Sequence, residues 1–241
     1  MVWSRLSSIL MDVLRFAVEP VPPESGSGFQ VLIYVNGIEM TKAGAGLGMD
    51  PYDVLVPENT FLPRLEPHTF GVARCGCGVY GCGATDVTSS TEGDGVKWTW
   101  SLAAPIDHPV TFALESYLSE VNRIGRDHSW ETPDRTAGRL VLSQIDRPHL
   151  RRNGLQPSWV GNDWRAPELF EVCFTFEASY QIFVRFPWNG DAPEALAARA
   201  LATINDRDGP AGWSATWHGI APADRYRPPR IAQAGWTKES V

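Results

Sequence analysis

The residues of this chain best suited to do chemistry are Cys75, Cys77 and Cys82, in the stretch Arg74-Cys-Gly-Cys-Gly-Val-Tyr-Gly-Cys-Gly83. A metal ion needs thiolates brought to one point by a backbone that turns sharply. Cys-x-Cys-x4-Cys with interleaved glycines supplies both. A structural zinc ion takes four ligands, and His68, just upstream, and Cys173, far downstream, are the candidates for the fourth. The candidate metal ligands are therefore Cys75, Cys77, Cys82 and His68, with Zn the candidate cofactor. Cys173 shares a strand face with Glu171 and Thr175, where a lone cysteine is more often inert than ligating. Cys-x-Cys is also less diagnostic than paired CxxC motifs. Two other readings stay open. One is a glycine-rich hairpin with free thiols, or a Cys77–Cys82 bridge in an oxidising compartment. The other is a redox or catalytic role for the thiols.

Little else in the sequence points to a reaction. The five histidines are His68, His108, His128, His149 and His218. Asp107-His108 and Asp127-His128 are neighbours in sequence, but adjacent side chains on an extended chain point apart. There is no nucleophile elbow, HExxH or phosphate-binding P-loop. Gly44-Ala-Gly-Leu-Gly48 has GxGxG spacing with no helical pattern behind it, so it reads as a flexible loop. Trp98/Trp100 and Trp213/Trp217 share strand faces. They can be core or, if exposed, a sugar-stacking platform, and core is the expectation.

A chain of 241 residues with 43% hydrophobic and 20% charged content has the composition of a globular protein. Its net charge of −7 repels phosphate backbones and anionic lipid, so no nucleic-acid or membrane partner is expected. Arg147, His149, Arg151 and Arg152 form a basic cluster best explained as solvated loop. No apolar run approaches the ~20 residues that span a bilayer. Residues 1–10 read as a loose leader or frayed helix, too interrupted for a secretory signal, with Met11 a candidate natural start. The expected location is the cytoplasm, where thiols stay reduced.

The elements that must position the cysteines follow from periodicity. Residues 13–18 and 29–35 alternate as strands, and Asn36-Gly37 supplies a hairpin turn to a return strand over 38–41. Residues 50–68 carry four prolines and read as irregular. Residues 69–74 run into the cysteine loop, 84–89 leave it, and 96–102 return after a Gly-rich turn, so the loop joins strands of an antiparallel sheet. A helix is expected over 111–124, with Leu114, Tyr117, Leu118, Val121 and Ile124 on one stripe. A strand is expected over 138–145 and a long loop over 146–168. Residues 169–176 and 180–186 form a hairpin, with Phe170, Val172, Phe174 and Phe176 facing one way. A second helix starts at Asp191-Ala-Pro-Glu194 and buries Leu196, Ala200, Leu201 and Ile204. A strand at 213–217 and an extended Pro-rich tail from 221 complete the chain. The fold class is α+β, with mainly antiparallel sheet packed against two amphipathic helices. It is expected as one domain over 11–241, or two closely packed halves, 11–105 and 106–220, with the tail 221–241.

The Cys-x-Cys-Gly-x-x-Gly-Cys loop, set between two strands and followed by a strand rich in Val and Trp, resembles a group of uncharacterised actinobacterial proteins. The resemblance covers about Met11 to Leu102. It implies a shared fold over that stretch and brings no activity with it. From the residues themselves, the leading functional expectation is a non-enzymatic binding or interaction protein with the cysteine loop as a structural staple, its protein or small-molecule partner unspecified. The alternatives are an enzyme using Cys75, Cys77 and Cys82 as metal ligands or redox thiols, and a carbohydrate-binding module using Trp.

Overall fold

A computed structural model describes residues 11–25, 28–163, 165–188 and 190–239; residues 1–10 and Trp164 lie outside this set. The fold is α+β, and the chain divides into two compact units that meet in sequence between Trp130 and Glu131. The division lies beyond the first long helix, not near residue 105. That helix packs on the first strand of the chain, so it belongs to the first unit.

The first unit opens with β1 (Leu14–Pro20), β2 (Phe29–Val35) and β3 (Ile38–Glu39), an antiparallel three-stranded sheet. The Asn36-Gly37 turn has φ of 53° and 80°, as expected for a two-residue hairpin. The chain then departs from expectation. Instead of continuing as strand it forms α1 (Met40–Ala43), where the Glu39 carboxylate accepts from the Lys42 amide. Nor is the glycine-rich stretch a free loop: Gly46–Gly48 is a short edge strand, β4. α2 (Pro51–Leu55) follows, capped by Asp50, whose carboxylate accepts from the Tyr52 amide at 2.9 Å.

β4 is the edge of an antiparallel five-stranded sheet. The others, in order, are β5 (His68–Cys75), β6 (Ala84–Glu92), β7 (Gly95–Leu102) and β8 (Val110–Ala113). α3 (Leu114–Gly125) begins where β8 ends, three residues later than the stripe alone suggests. Residues 110–113 alternate as a strand, with Val110 and Phe112 buried, before the helical spacing takes over.

Trp98 lies at the centre of this unit, fully buried. Its ring meets Phe70, Trp100, Phe112 and Tyr117 edge-to-face at centroid distances of 5.3–5.9 Å. The indole N–H donates to the Tyr117 hydroxyl at 3.2 Å, which donates to the Phe61 carbonyl at 2.7 Å. Trp98 and Trp100 are therefore core, as the alternation predicts, and Trp98 meets Tyr117 of the long helix. Trp213 and Trp217 in the second unit are also buried. None of the four offers a sugar platform.

The second unit departs most from the sequence expectation. Residues 138–145 are not a strand but part of α4 (Pro133–Gln144). Pro133 and Asp134 occupy its first turn, and Ala137, Gly138, Val141 and Leu142 form the buried stripe. The Leu-Val-Leu run imitates strand alternation, but the four-residue spacing of the buried positions decides. Residues 146–168 are not a long loop. They hold α5 (Arg147–Arg152), capped by Asp146 on the His149 amide at 2.8 Å, and β9 (Leu155–Asp163).

β10 (Ala166–Phe176) and β11 (Tyr180–Pro187) form the expected hairpin, with Phe170, Val172, Phe174 and Phe176 fully buried. α6 (Pro193–Ile204) buries Leu196, Ala197, Ala200 and Ile204; Leu201 is only half-buried. β12 (Ala215–Gly219) pairs antiparallel with β11, and β13 (Thr237–Lys238) pairs parallel with β12, giving the sheet order β13-β12-β11-β10-β9. The tail is thus not simply extended. Trp236 is buried, and its indole N–H donates to the Trp213 carbonyl at 3.0 Å, returning the chain to the sheet.

Candidate metal centre

The cysteine loop connects β5 to β6, and both strands end beside it. The Cys75 amide donates to the Gly83 carbonyl at 2.8 Å, closing the neck of the loop. The chain then reverses at once: the Gly78 amide donates to the Cys75 carbonyl at 2.8 Å, and Gly78 has φ +85°, a backbone state that disfavours side chains. A single 3-10 turn, Tyr80–Cys82, brings the chain back. β4 supports the entry side, with Gly46 opposite Cys75 and Leu47 opposite Arg74. Residues 46–48 of the glycine-rich stretch therefore flank the cysteine loop as sheet.

Tyr80 anchors the returning turn. Its hydroxyl donates to Asp86 Oδ1 on β6, and its ring lies on Gly71 of β5. A Cβ at Gly71 would stand 2.6 Å from the Tyr80 Cε2 atom, closer than packed atoms approach. Burial and the Asp86 carboxylate together push the Tyr80 phenol up to about 12, so it stays a hydrogen-bond donor at neutral pH. The sequence marks neither Tyr80 nor Asp86 as part of the loop's support. The signal is only positional: an aromatic residue inside a glycine-rich loop with a carboxylate six residues on.

These constraints bring Cys75, Cys77 and Cys82 together. Their Sγ atoms all lie within 4.8 Å of one another, and no pair is bonded as a disulfide. Cys75 is half-buried, while Cys77 and Cys82 are exposed, so the group opens to solvent. The thiols are not equivalent. The Cys75 thiol is pulled below its ordinary range, first by the Cys77 amide N–H and then by the thiols of Cys77 and Cys82. The Cys82 thiol is pushed up to about 11, mainly by its hydrogen bonds to Cys75 and Cys77. A bound cation would displace the thiol protons of the group.

The structure does not bring His68 to the group. His68 and Cys75 are the two ends of β5, seven residues apart on an extended strand, which corresponds to roughly 23 Å at about 3.3 Å per residue. The His68 ring lies instead on Phe70, with Nε2 3.0 Å from the Thr60 carbonyl. Cys173 belongs to the second unit. It is fully buried on β10, opposite Trp159 on β9 and Phe183 on β11. Burial, then the Glu171 charge, pushes its thiol up to about 12, which suits an inert core cysteine. Among the described residues, no His, Asp, Glu or fourth Cys joins the three sulfurs. Residues 1–10, 26 and 27 contain none of these residue types.

One paired His differs from expectation. His108 Nδ1 and Asp107 Oδ1 are 3.0 Å apart, because residues 107–108 lie in a bend where neighbouring side chains can meet. Both side chains are largely exposed. Asp127 accepts from the Ser129 amide and hydroxyl, at 3.0 and 2.6 Å, and Asp146 caps the His149 amide.

Comparison of the chain with protein-family models, curated proteins and solved structures finds no match. Among the described residues, no helix is long and apolar enough to cross a membrane.

Proposed function

We propose that this is a metal-binding protein that holds one thiophilic divalent ion, zinc first among candidates, on Cys75, Cys77 and Cys82. The observation that carries this reading is the approach of three sulfurs to within 4.8 Å of one another on a loop whose neck, turn and exit are each fixed by hydrogen bonds. Zinc–thiolate bonds of about 2.3 Å place the sulfurs of a tetrahedron about 3.8 Å apart, so small side-chain rotations suffice. With three protein ligands and an outer face open to solvent, the fourth position falls to water or an exchanging ligand. That is the arrangement of open zinc sites rather than of closed structural ones.

This reading shifts the role from staple to binding site. The core of the first unit is built around Trp98, and α3 packs on it without help from the loop. Metal loss should then leave the fold intact. Cobalt(II) titration of the reduced, metal-free protein tests the reading. A thiolate-to-metal charge-transfer band should saturate at one equivalent, be displaced by zinc and lose about a third of its intensity in Cys77→Ser, where two sulfurs remain. Absence of the band, with all three loop thiols open to a disulfide reagent, overturns it.

A second reading, thiol–disulfide chemistry, is favoured by the closeness of the free Cys75 and Cys82 sulfurs, within 4.8 Å of each other, with the Cys75 thiol shifted down and the Cys82 thiol shifted up. It requires a Cys75–Cys82 bridge to form in the metal-free protein on treatment with a small disulfide, which is reduced to two thiols in exchange. Peptide mapping reads that bridge.

A further inference from the structure

We infer that the three-thiol cup, beyond its divalent ion, also takes a trivalent thiophilic metalloid, arsenic(III) or antimony(III), and holds it more tightly, because its three sulfurs complete that ion without a fourth ligand. The inference rests on the metal-binding reading above and deepens it.

The first argument is coordination number. A trivalent group-15 ion bound by three sulfurs is a trigonal pyramid, because its lone pair takes the place of a fourth donor. Among the described residues, three sulfurs converge at this loop and no fourth Cys, nor any His, Asp or Glu, joins them. Zinc must recruit its fourth ligand from solvent. The trivalent ion needs nothing beyond what the loop presents, and its lone pair can face the open side on which Cys77 and Cys82 are exposed.

Charge is the second argument. Three thiolates on a divalent ion leave one negative charge, and on copper(I) they leave two. On a trivalent ion they leave none. The sulfurs sit on a chain of net charge −7. A site that must hold residual negative charge gains from a nearby cation, whereas a neutral product needs none.

The third is access. Arsenous acid is neutral in water near neutral pH and condenses with thiols one at a time. Each step breaks an S–H bond and an As–OH bond, forms an As–S bond and releases one water. Three thiols consume all three hydroxyls, with no change in oxidation state and no further reactant. Exposed Cys77 and Cys82 can react first, and half-buried Cys75 closes the pyramid at the neck of the loop.

The test uses the full chain, reduced and metal-free, under argon. Arsenite is titrated in while native mass spectrometry counts bound arsenic and a thiol reagent counts the remaining reactive thiols. In parallel, arsenite is added to the zinc-loaded protein. One arsenic per chain, loss of all three loop thiols and release of the zinc are expected. Arsenite that consumes only two thiols, or fails to displace zinc, overturns the inference. If zinc or cobalt binds and arsenite does not, the inference fails and the metal-binding reading stands; if neither ion binds, both fall. Cys77→Ser, with its fold checked by circular dichroism, should consume two thiols and release arsenic readily to a competing small dithiol. Retention equal to that of the unaltered chain also overturns the inference.

Discussion

Replacing Tyr117 with Phe tests the core that carries the cysteine loop. Tyr117 is fully buried on α3, and its hydroxyl donates to the Phe61 carbonyl at 2.7 Å, accepts from the Trp98 indole N–H at 3.2 Å and also meets the Ser89 hydroxyl. Burial pushes the phenol's pKa well up, so it is a neutral donor at every working pH. The substitution removes one oxygen and keeps the ring, so the cavity term is small. What it leaves behind is a buried carbonyl and a buried indole N–H, each costing about 1–3 kcal/mol when orphaned. Because both can relax into the same space, the two costs do not add fully, and the expected loss is about 2–4 kcal/mol. Amide hydrogen exchange, read on peptides covering residues 95–102 and 114–125, measures the opening free energy of this unit directly. Tyr226→Phe, at an exposed ring in the tail, is the control and should change stability by less than about 0.5 kcal/mol. If Tyr117→Phe is equally silent, Trp98 is not hydrogen-bonded into the core as described, and the packing account of this unit fails.

Two further outcomes follow from buried side chains. Glu120 on α3 accepts from the Phe16 amide at 2.6 Å and from Arg123 at 2.7 and 2.8 Å. Burial raises its carboxyl, but the Arg123 and Phe16 hydrogen bonds and the charges of Arg123 and Arg15 outweigh this, and the pKa falls below its ordinary value. A depressed folded-state pKa means that the stabilisation is present above the unfolded carboxyl's pKa and is lost as pH falls through the folded one. The melting temperature of Glu120→Gln should therefore lie below that of the unaltered chain at neutral pH, with a gap that closes below about pH 4; a gap independent of pH contradicts the linkage. In the second unit, Phe174 is fully buried and stacks on Trp213 at 5.1 Å. Phe174→Ala should cost about 3–5 kcal/mol in chemical denaturation, and a loss under about 1 kcal/mol would remove it from the core.

Much of this architecture is legible in the sequence where one physical signal dominates. The alternation of Phe170, Val172, Phe174 and Phe176 has no helical interpretation, and the hairpin follows. The stripe Tyr117, Val121, Ile124 likewise specifies α3. Legibility fails where two signals compete or where a partner is distant. Leu140-Val141-Leu142 carries β propensity, yet Pro133 and Asp134 start a helix and the Ala137/Val141 and Gly138/Leu142 spacing sustains it. Pro222, Pro228 and Pro229 suggest an extended tail, but buried Trp236 brings the chain back to β12. For the site, the glycines and the spacing of Cys75, Cys77 and Cys82 are enough to expect convergence. Proximity in sequence misleads for His68, because an extended strand carries neighbours apart faster than any other backbone state. The sequence also conceals that β4 flanks the loop and that Tyr80 is seated on Gly71 and Asp86, since both depend on tertiary contacts.

The proposed metal site has three sulfur ligands and one position that the chain leaves open. X-ray absorption at the zinc edge of the one-to-one zinc complex measures this most directly. The account expects three sulfurs at about 2.3 Å and one light atom at about 2.0–2.2 Å from solvent, with no imidazole scattering, and a sulfur count that falls by one in Cys77→Ser. Four sulfurs, an imidazole signature, or a shell of nitrogen and oxygen alone would contradict it.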